Sequence, residues 1–291
     1  MLEQNNPYLA VRQAFNAPWP GPRGEKIKLQ NDNIQLEIYP EDGCRIINLQ
    51  AYNYPILRAW QDGRFAFQYG CFPMIPWVGR IKNAILNYQE KSYALPANKP
   101  PHAMHGMACF SPWQCISTTQ TRAEFKFILD EPWPWKGSVN YIVEIKDDEL
   151  VLSLQINTDQ HEFPASAGWH PWFNKILSAN EPEMEIHFSP KWQRKTGIDE
   201  IPEQTKITPQ AGPWDDCFGF EHPLKTTLLW QNQLQIEMSS SGNHLVIFDK
   251  QPDASCVNPM TEAPNDINHH PQIVKQSNPL IITTNWKFNA L

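Results

Sequence analysis

Apolar and polar residues alternate one for one through the most regular stretches of this chain. Ile34, Leu36 and Ile38 alternate with Gln35, Glu37 and Tyr39, and Phe125, Phe127 and Leu129 with Glu124, Lys126 and Ile128. Tyr141, Val143 and Ile145 form a third set. Leu150, Leu152, Leu154 and Ile156 alternate with Val151, Ser153 and Gln155. Met184, Ile186 and Phe188 alternate with Glu185 and His187, and Leu234, Ile236 and Met238 with Gln235 and Glu237. A period of two puts successive side chains on opposite faces of an extended strand, so each segment offers one apolar face to a core. Turn signals at Glu41-Asp42-Gly43, Asp147-Asp148-Glu149 and Ser241-Gly242-Asn243 punctuate the pattern. No helix-period stretch longer than two turns competes with it. The 27 prolines are disfavoured in helix interiors and central strands, so they imply many loops and short elements. The expected fold class is all-β, a large sandwich or barrel with few short helices.

Residues 1–24, which contain PWPGPRG, read as an extended N-terminal arm. No repeat, low-complexity tract or linker divides the rest, so 25–291 reads as one domain. Hydrophobic residues make up 41% of the chain, enough for a sizeable core, and the net charge is −7 with no basic run. Binding to a phosphate backbone or an anionic membrane needs clustered Lys and Arg, so neither nucleic acid nor membrane is an expected partner. No apolar run approaches the ~18–20 residues of a membrane span, and the opening MLEQNNPYLAVRQAF lacks the pattern of a secretory signal. The six cysteines are scattered without a CxxC and read as reduced, mostly buried thiols. A cytoplasmic protein, monomer or homodimer, acting on a small molecule fits these features.

Five segments break the alternation: 71–83, 100–113, 164–174, 212–218 and 255–268. They read as polar and aromatic loops between strands, where functional residues concentrate. His170 in GWHPWF stands between Trp169 and Trp172, a setting that lowers the local dielectric and offers a flat surface to an apolar sugar face. His102 and His105 occur in HAMHG. Histidine suits proton transfer near neutral pH, and it equally serves as a structural hydrogen-bonding residue. A three-histidine metal site is disfavoured, because the spacing is not the helical HExxH and Pro100-Pro101 precedes it. Arg80 follows PWVG; a semi-buried guanidinium fork suits sugar oxygens. Asp215-Asp216 lies between Trp214 and Phe218, where a carboxylate can accept from vicinal hydroxyls or cap a turn. Glu262 shares a loop with Asn258 and Asn265; a glycosidase would need two facing carboxylates, and Asp215 and Glu262 are the candidates. Serine-nucleophile, P-loop and dinucleotide motifs are absent.

Taken in order, these segments resemble the aldose 1-epimerase (galactose mutarotase) family. PWVGRI resembles a Pro-rich strand end followed by Asn-Arg-Ile, with Gly79 at the asparagine and Arg80 at the arginine. HAMHG at 102–106, GWHPWF at 168–173, WDDCF at 214–218 and CVNPMT at 256–261 follow in the family's order. The resemblance implies a large β-sandwich with the site in a cleft on one sheet, a free-sugar substrate, and neither cofactor nor metal. It implies that His170 protonates the ring oxygen, that His105 and Arg80 hold the ring oxygen and nearby hydroxyls, and that Asp215 binds hydroxyls on the far side. His102, Trp172 and Asn258 complete the expected sugar-binding set. The family's base is the Glu of CVEP, and this chain has Asn258 there; Glu262, four residues on, is the expected substitute. The alternative is a carbohydrate-binding protein of the same fold with weak or no turnover.

Overall fold

The alternating segments pair into two stacked antiparallel sheets. The computed structural model describes residues 15–221 and 223–291. One sheet has eight strands in the order Gln114–Thr118, Arg122–Leu129, Gly137–Lys146, Glu149–Thr158, Leu280–Ala290, Leu234–Ser240, Leu224–Trp230 and Glu185–Phe188. All the alternating sets except 34–38 fall in it. Along Glu149–Thr158 every second residue is buried, and Leu150, Leu152, Leu154 and Ile156 join Phe125, Val139, Tyr141, Val143 and Trp286 in one core cluster between the sheets. Burying such side chains contributes about 1.5–3 kcal/mol each, which is why period two dominates the sequence.

The other sheet carries the cleft. Its strands are Ile27–Gln30 (β1), Ile34–Tyr39 (β2), Arg45–Ala51 (β3), Cys71–Met74 (β4), Gly168–Asn174 (β5), Trp192–Lys195 (β6), Asp215–Gly219 (β7), His244–Phe248 (β8) and Ala254–Met260 (β9). Their spatial order is β1-β2-β3-β4-β5-β9-β8-β7-β6, and the short Tyr54–Pro55 strand pairs with β3. Four of the segments expected as loops therefore hold strands of this sheet: β4, β5, β7 and β9. Both faces of its centre are covered, so β5 is buried from Gly168 to Phe173 and β9 along its whole length. A strand buried on both faces loses its alternating pattern. Prolines occur there too, at Pro73, Pro171 and Pro259, against the expectation that central strands exclude them.

The inner face of this sheet meets the first core through Trp169, Phe173, Leu245, Ile247 and Val257. Its outer face is partly roofed by a second cluster that includes Phe15, Trp19, Tyr69, Phe72, Met104 and Phe110. The expected arm at 1–24 lies partly outside the described residues; within them, Phe15 and Trp19 are buried in this roof. A fully buried ion pair, Asp42–Arg45 at 3.1 Å, sits in the same layer. Tyr69 Oη donates to Asp42 at 3.1 Å, and the Arg45 guanidinium lies 4.3 Å from the Tyr69 ring centroid and 5.0 Å from that of Phe72. The described helical segments are short, among them the three-residue 3-10 turns Pro40–Asp42, Ala66–Gln68, Lys82–Ala84 and Asp266–Asn268. No described helix is long and apolar enough to cross a membrane. All six cysteines are free; Cys115 is exposed and the others are buried.

Gly106 links the roof to the cleft. Its φ is +76°, and a Cβ there would meet the Ile75 carbonyl oxygen at 1.9 Å. Gly106→Ala is expected to destabilise the protein by about 2–4 kcal/mol through backbone strain and displacement of the 104–108 segment. Thermal melting checks this; a variant that melts with the wild type contradicts the close approach.

Candidate active site

Register builds the floor of the cleft. β5 pairs with β9 through Gly168↔Met260 and Trp172↔Cys256, a register that sets His170 opposite Asn258. β4 pairs Phe72 with His170, β8 pairs Val246 with Asn258, and β7 pairs Asp215 with Phe248. Side chains two apart share a face, so two parallel rows line the outer surface: Phe72, His170, Asn258 and Val246, then Trp172, Cys256, Phe248 and Asp215. Between the two anchoring pairs of β5 and β9 no ladder pairing forms. Pro171 and Pro259 fall inside this opening, where the missing N–H interrupts no ladder bond.

The walls come from elsewhere in the chain. Arg80 pairs with Met104 across a short two-stranded ladder, and the His105 N–H donates to the Gly79 carbonyl at 2.7 Å. This brings His105 against His170, with ring centroids 4.8 Å apart at 77°. His170 also stacks on Phe72 at 4.9 Å and on Trp172 at 5.6 Å. Trp172 is fixed by its indole N–H donating to the Phe67 carbonyl at 2.7 Å. Phe67, Gln68 and Lys99 close one side, and Thr196, Glu200 and Pro202 another. The enclosed volume is ≈ 330 Å³, within the ordinary range for small-molecule sites.

Of the residues singled out from sequence, His170, His105, Arg80, Asp215, Asn258 and Trp172 all line this one cleft. His102 and Glu262 are not among its lining residues. His102 Nδ1 accepts from the Asn83 N–H at 3.1 Å, and its backbone bonds twice with Lys99. That is a turn-holding arrangement. Glu262 is buried, 3% exposed. Burial pushes its carboxyl well above the usual range, and the nearby Asp266 charge adds to this; Ser166 and the Gln272 backbone only partly offset it. The expectation that Glu262 presents a base to the cleft does not fit this position, where burial disfavours its charged form. Asp216, the neighbour of Asp215, accepts from Gln193 Nε2 at 2.8 Å and from the Thr196 N–H at 2.9 Å. Glu200, Phe248, Val246, Phe67 and Lys99 line the cleft without having been singled out; they lie in segments whose sequence carries no distinguishing motif.

The imidazoles of the site are buried, and the charges lining it, Arg80, Lys99, Glu200 and Asp215, balance. Desolvation pushes the His170 imidazole down to about 3 and the His105 imidazole well below its ordinary value, the latter helped by His170 and Arg80. Burial raises Asp215, while Lys250, 3.7 Å away, and Arg80 pull it back. Several buried polar atoms on the cleft have no partner among the described residues: both ring nitrogens of His105, His170 Nδ1, Asn258 Oδ1 and Arg80 Nε. Buried polar groups are normally hydrogen-bonded, so a lining with this many uncommitted donors and acceptors suits a ligand dense in hydroxyls. Among the described residues no group of His, Cys, Asp or Glu is placed to hold a metal ion.

Residues 25–277 match the family model described as aldose 1-epimerase. The chain is 22% identical over 275 residues to the uncharacterized protein YphB of Escherichia coli (strain K12), covering 84% of this chain and 90% of that one. A crystal structure from Escherichia coli K12 superposes with a TM-score of 0.80 at 18% identity, over 92% of this chain and 99% of that one. The GalM/aldose epimerase homologue from C. elegans gives 0.79 at 12% identity, over 92% and 100%. Structural likeness at such identities speaks for the fold.

The buried groups give stability opposing pH dependences. Unfolded histidine takes up a proton below its ordinary value near 6.5, whereas folded His170 does not until about 3. Its contribution is complete above ~6.5 and lost as pH falls toward 3, at up to about 1.4 kcal/mol per pH unit. Glu262 acts in reverse: burial holds its folded carboxyl above the ordinary value of 4.5, so the unfolded carboxyl ionises first and stability is lost as pH rises above that value. Glu262→Gln is expected to raise the melting midpoint by a few degrees at pH 8 and to match the wild type near pH 4. A midpoint that falls at pH 8 contradicts the upward shift of the buried carboxyl.

Proposed function

The chain belongs to the aldose 1-epimerase family, and we propose that its cleft binds a free, uncharged aldose and interconverts the α and β anomers by opening and reclosing the ring. The observation that carries this reading is the convergence of His170, His105, Arg80, Asn258 and Asp215 on one small hollow with Trp172 and Phe248 on its floor. The aromatic faces cover the sugar's C–H groups. His105 and Arg80 hold the ring oxygen and adjacent hydroxyls. Asp215, three strands from β5 and so about 14 Å away along the sheet, receives hydroxyls at the other end. His170 delivers the proton to the ring oxygen as the C1–O5 bond breaks. The resulting aldehyde rotates about C1–C2 and closes on either face, so the reaction needs one acid and one base and no oxidant.

Charge supports an uncharged substrate. Arg80 is already paired with Glu200 at 2.5 Å, and Lys250 faces Asp215. A phosphorylated sugar would meet two carboxylates, with Lys99 the one cation among the described lining residues that no carboxylate pairs. A second reading, a sugar-binding protein with little turnover, is favoured by Asn258, whose amide cannot accept a proton.

Polarimetry on freshly dissolved α-glucose or α-galactose separates the two. The enzyme reading predicts an approach to anomeric equilibrium faster than buffer alone, and a fall of about 10²–10⁴-fold for His170→Ala with sugar affinity, read by calorimetry, little changed. Sugar binding without acceleration selects the second reading; neither binding nor acceleration with neutral aldoses sinks both. Asn258→Glu, which places a carboxylate opposite His170, is expected to raise the rate.

A further inference from the structure

The geometry points to Glu200 as the proton acceptor for the sugar's C1 hydroxyl, in a cleft whose strand position opposite His170 is occupied by an amide. This inference rests on the anomer-interconversion reading above. Glu200 lies outside all five segments that drew attention in the sequence, in the loop between β6 and β7. That loop folds back so that Thr196, Glu200 and Pro202 line the cleft.

The loop is held in place by specific bonds. The Thr196 N–H donates to Asp216 Oδ1 at 2.9 Å, and the Gly197 N–H to the Ile201 carbonyl at 2.9 Å. The Glu203 N–H donates to the Lys195 carbonyl at 2.8 Å. Lys82 Nζ meets Asp199 Oδ2 at 2.8 Å and ties the loop to the wall that carries Arg80. Within this frame Glu200 adopts φ +57°. Arg80 grips it at two points, Nη2 to Oε2 at 2.5 Å and Nη1 to the backbone carbonyl at 3.2 Å.

Position decides between the carboxylates. Among the described residues lining the cleft, only Asp215 and Glu200 carry one. Asp215 stands on β7 at the far end of the floor, three strand spacings from His170. Glu200 stands on Arg80, whose strand partner Met104 adjoins His105, which in turn touches His170. Glu200 is thus tied through Arg80 to the wall that packs His105 against the acid. Arg80 engages Oε2 and leaves Oε1 to accept a proton, and the Glu200 side chain is 65% exposed. The charged groups around it are Arg80 on the facing wall, the Lys82–Asp199 pair beside the loop, and Lys99 and Asp215 across the cleft.

The step balances as follows. Glu200 takes the proton from O1, the O1 electron pair forms the C1=O bond, and the C1–O5 bond breaks with its pair moving to O5. O5 takes a proton from the His170 imidazolium. An ionised Glu200 across the sugar favours that imidazolium, as any nearby opposite charge does. The two opposite charges cancel as the ring opens and return when it closes.

The test compares wild type, Glu200→Gln and Glu200→Asp, with rates by polarimetry at saturating sugar and affinity by calorimetry. Gln keeps an acceptor for Arg80 but cannot take a proton. The expected result for Glu200→Gln is a kcat lowered about 10²–10³-fold, with Kd within about threefold. Glu200→Asp, which retains a shortened carboxylate, should keep an intermediate rate. A Glu200→Gln protein with wild-type kcat overturns this inference alone, as does weakened binding at unchanged kcat, which would make Glu200 a positioning partner of Arg80. A wild type that binds sugar without accelerating anomer exchange overturns the inference together with the enzyme reading.

Discussion

The cleft depends on one register, the pairing of β5 with β9 that fixes Gly168 against Met260 and Trp172 against Cys256. A slip of one residue would turn every side chain to the opposite face. His170, Trp172, Asn258 and Met260 would enter the core between the sheets, and Trp169, Phe173 and Val257 would line the cleft. The register is protected from both sides. Trp169, Phe173 and Val257 are committed to the core, and Trp172 is held outward by its indole N–H on the Phe67 carbonyl. The sheet therefore places an imidazole and an amide on adjacent strands without any loop having to hold them.

The roof completes the environment. The Asp42–Arg45 pair and Tyr69 fill the layer above β4 with no exposure to solvent. Arg45 covers Phe72, and Phe72 backs the His170 ring. His170 is thereby rotationally confined and poorly hydrated, which accounts for its depressed basicity. The same dryness that disfavours a charged imidazole in the empty cleft strengthens its interaction with any opposite charge that enters. A sugar bringing hydroxyls to the unpartnered nitrogens of His105 and to Asn258 Oδ1 would relieve the polar groups that burial leaves unsatisfied.

Much of the architecture was legible in the chain because most strands cover a core on one side and meet water on the other. The Leu150–Ile156 strand reads directly as period two. The central strands of the site sheet were not legible as strands: GWHPWF and CVNPMT are covered on both faces and contain prolines, so neither alternation nor composition marks them. Six of the eight singled-out site residues converge on the cleft, because they sit on adjacent strands or on the wall beside them. Glu262 misleads for a simple reason. β9 ends at Met260, so the alternation that aims Asn258 and Met260 outward does not extend to Glu262, which turns inward. Glu200 gives no signal at all in sequence, since a lone acidic residue in a polar loop is usually a solvated surface group; only the fold brings it to Arg80.

The most direct test of the central claim is exchange spectroscopy by NMR on an equilibrated aldose, observing the α and β H1 resonances with a small amount of protein present. The account predicts exchange cross-peaks between the two anomers at mixing times where the sugar alone shows none. An equilibrated neutral aldose that binds in the cleft and shows no such cross-peaks would contradict it.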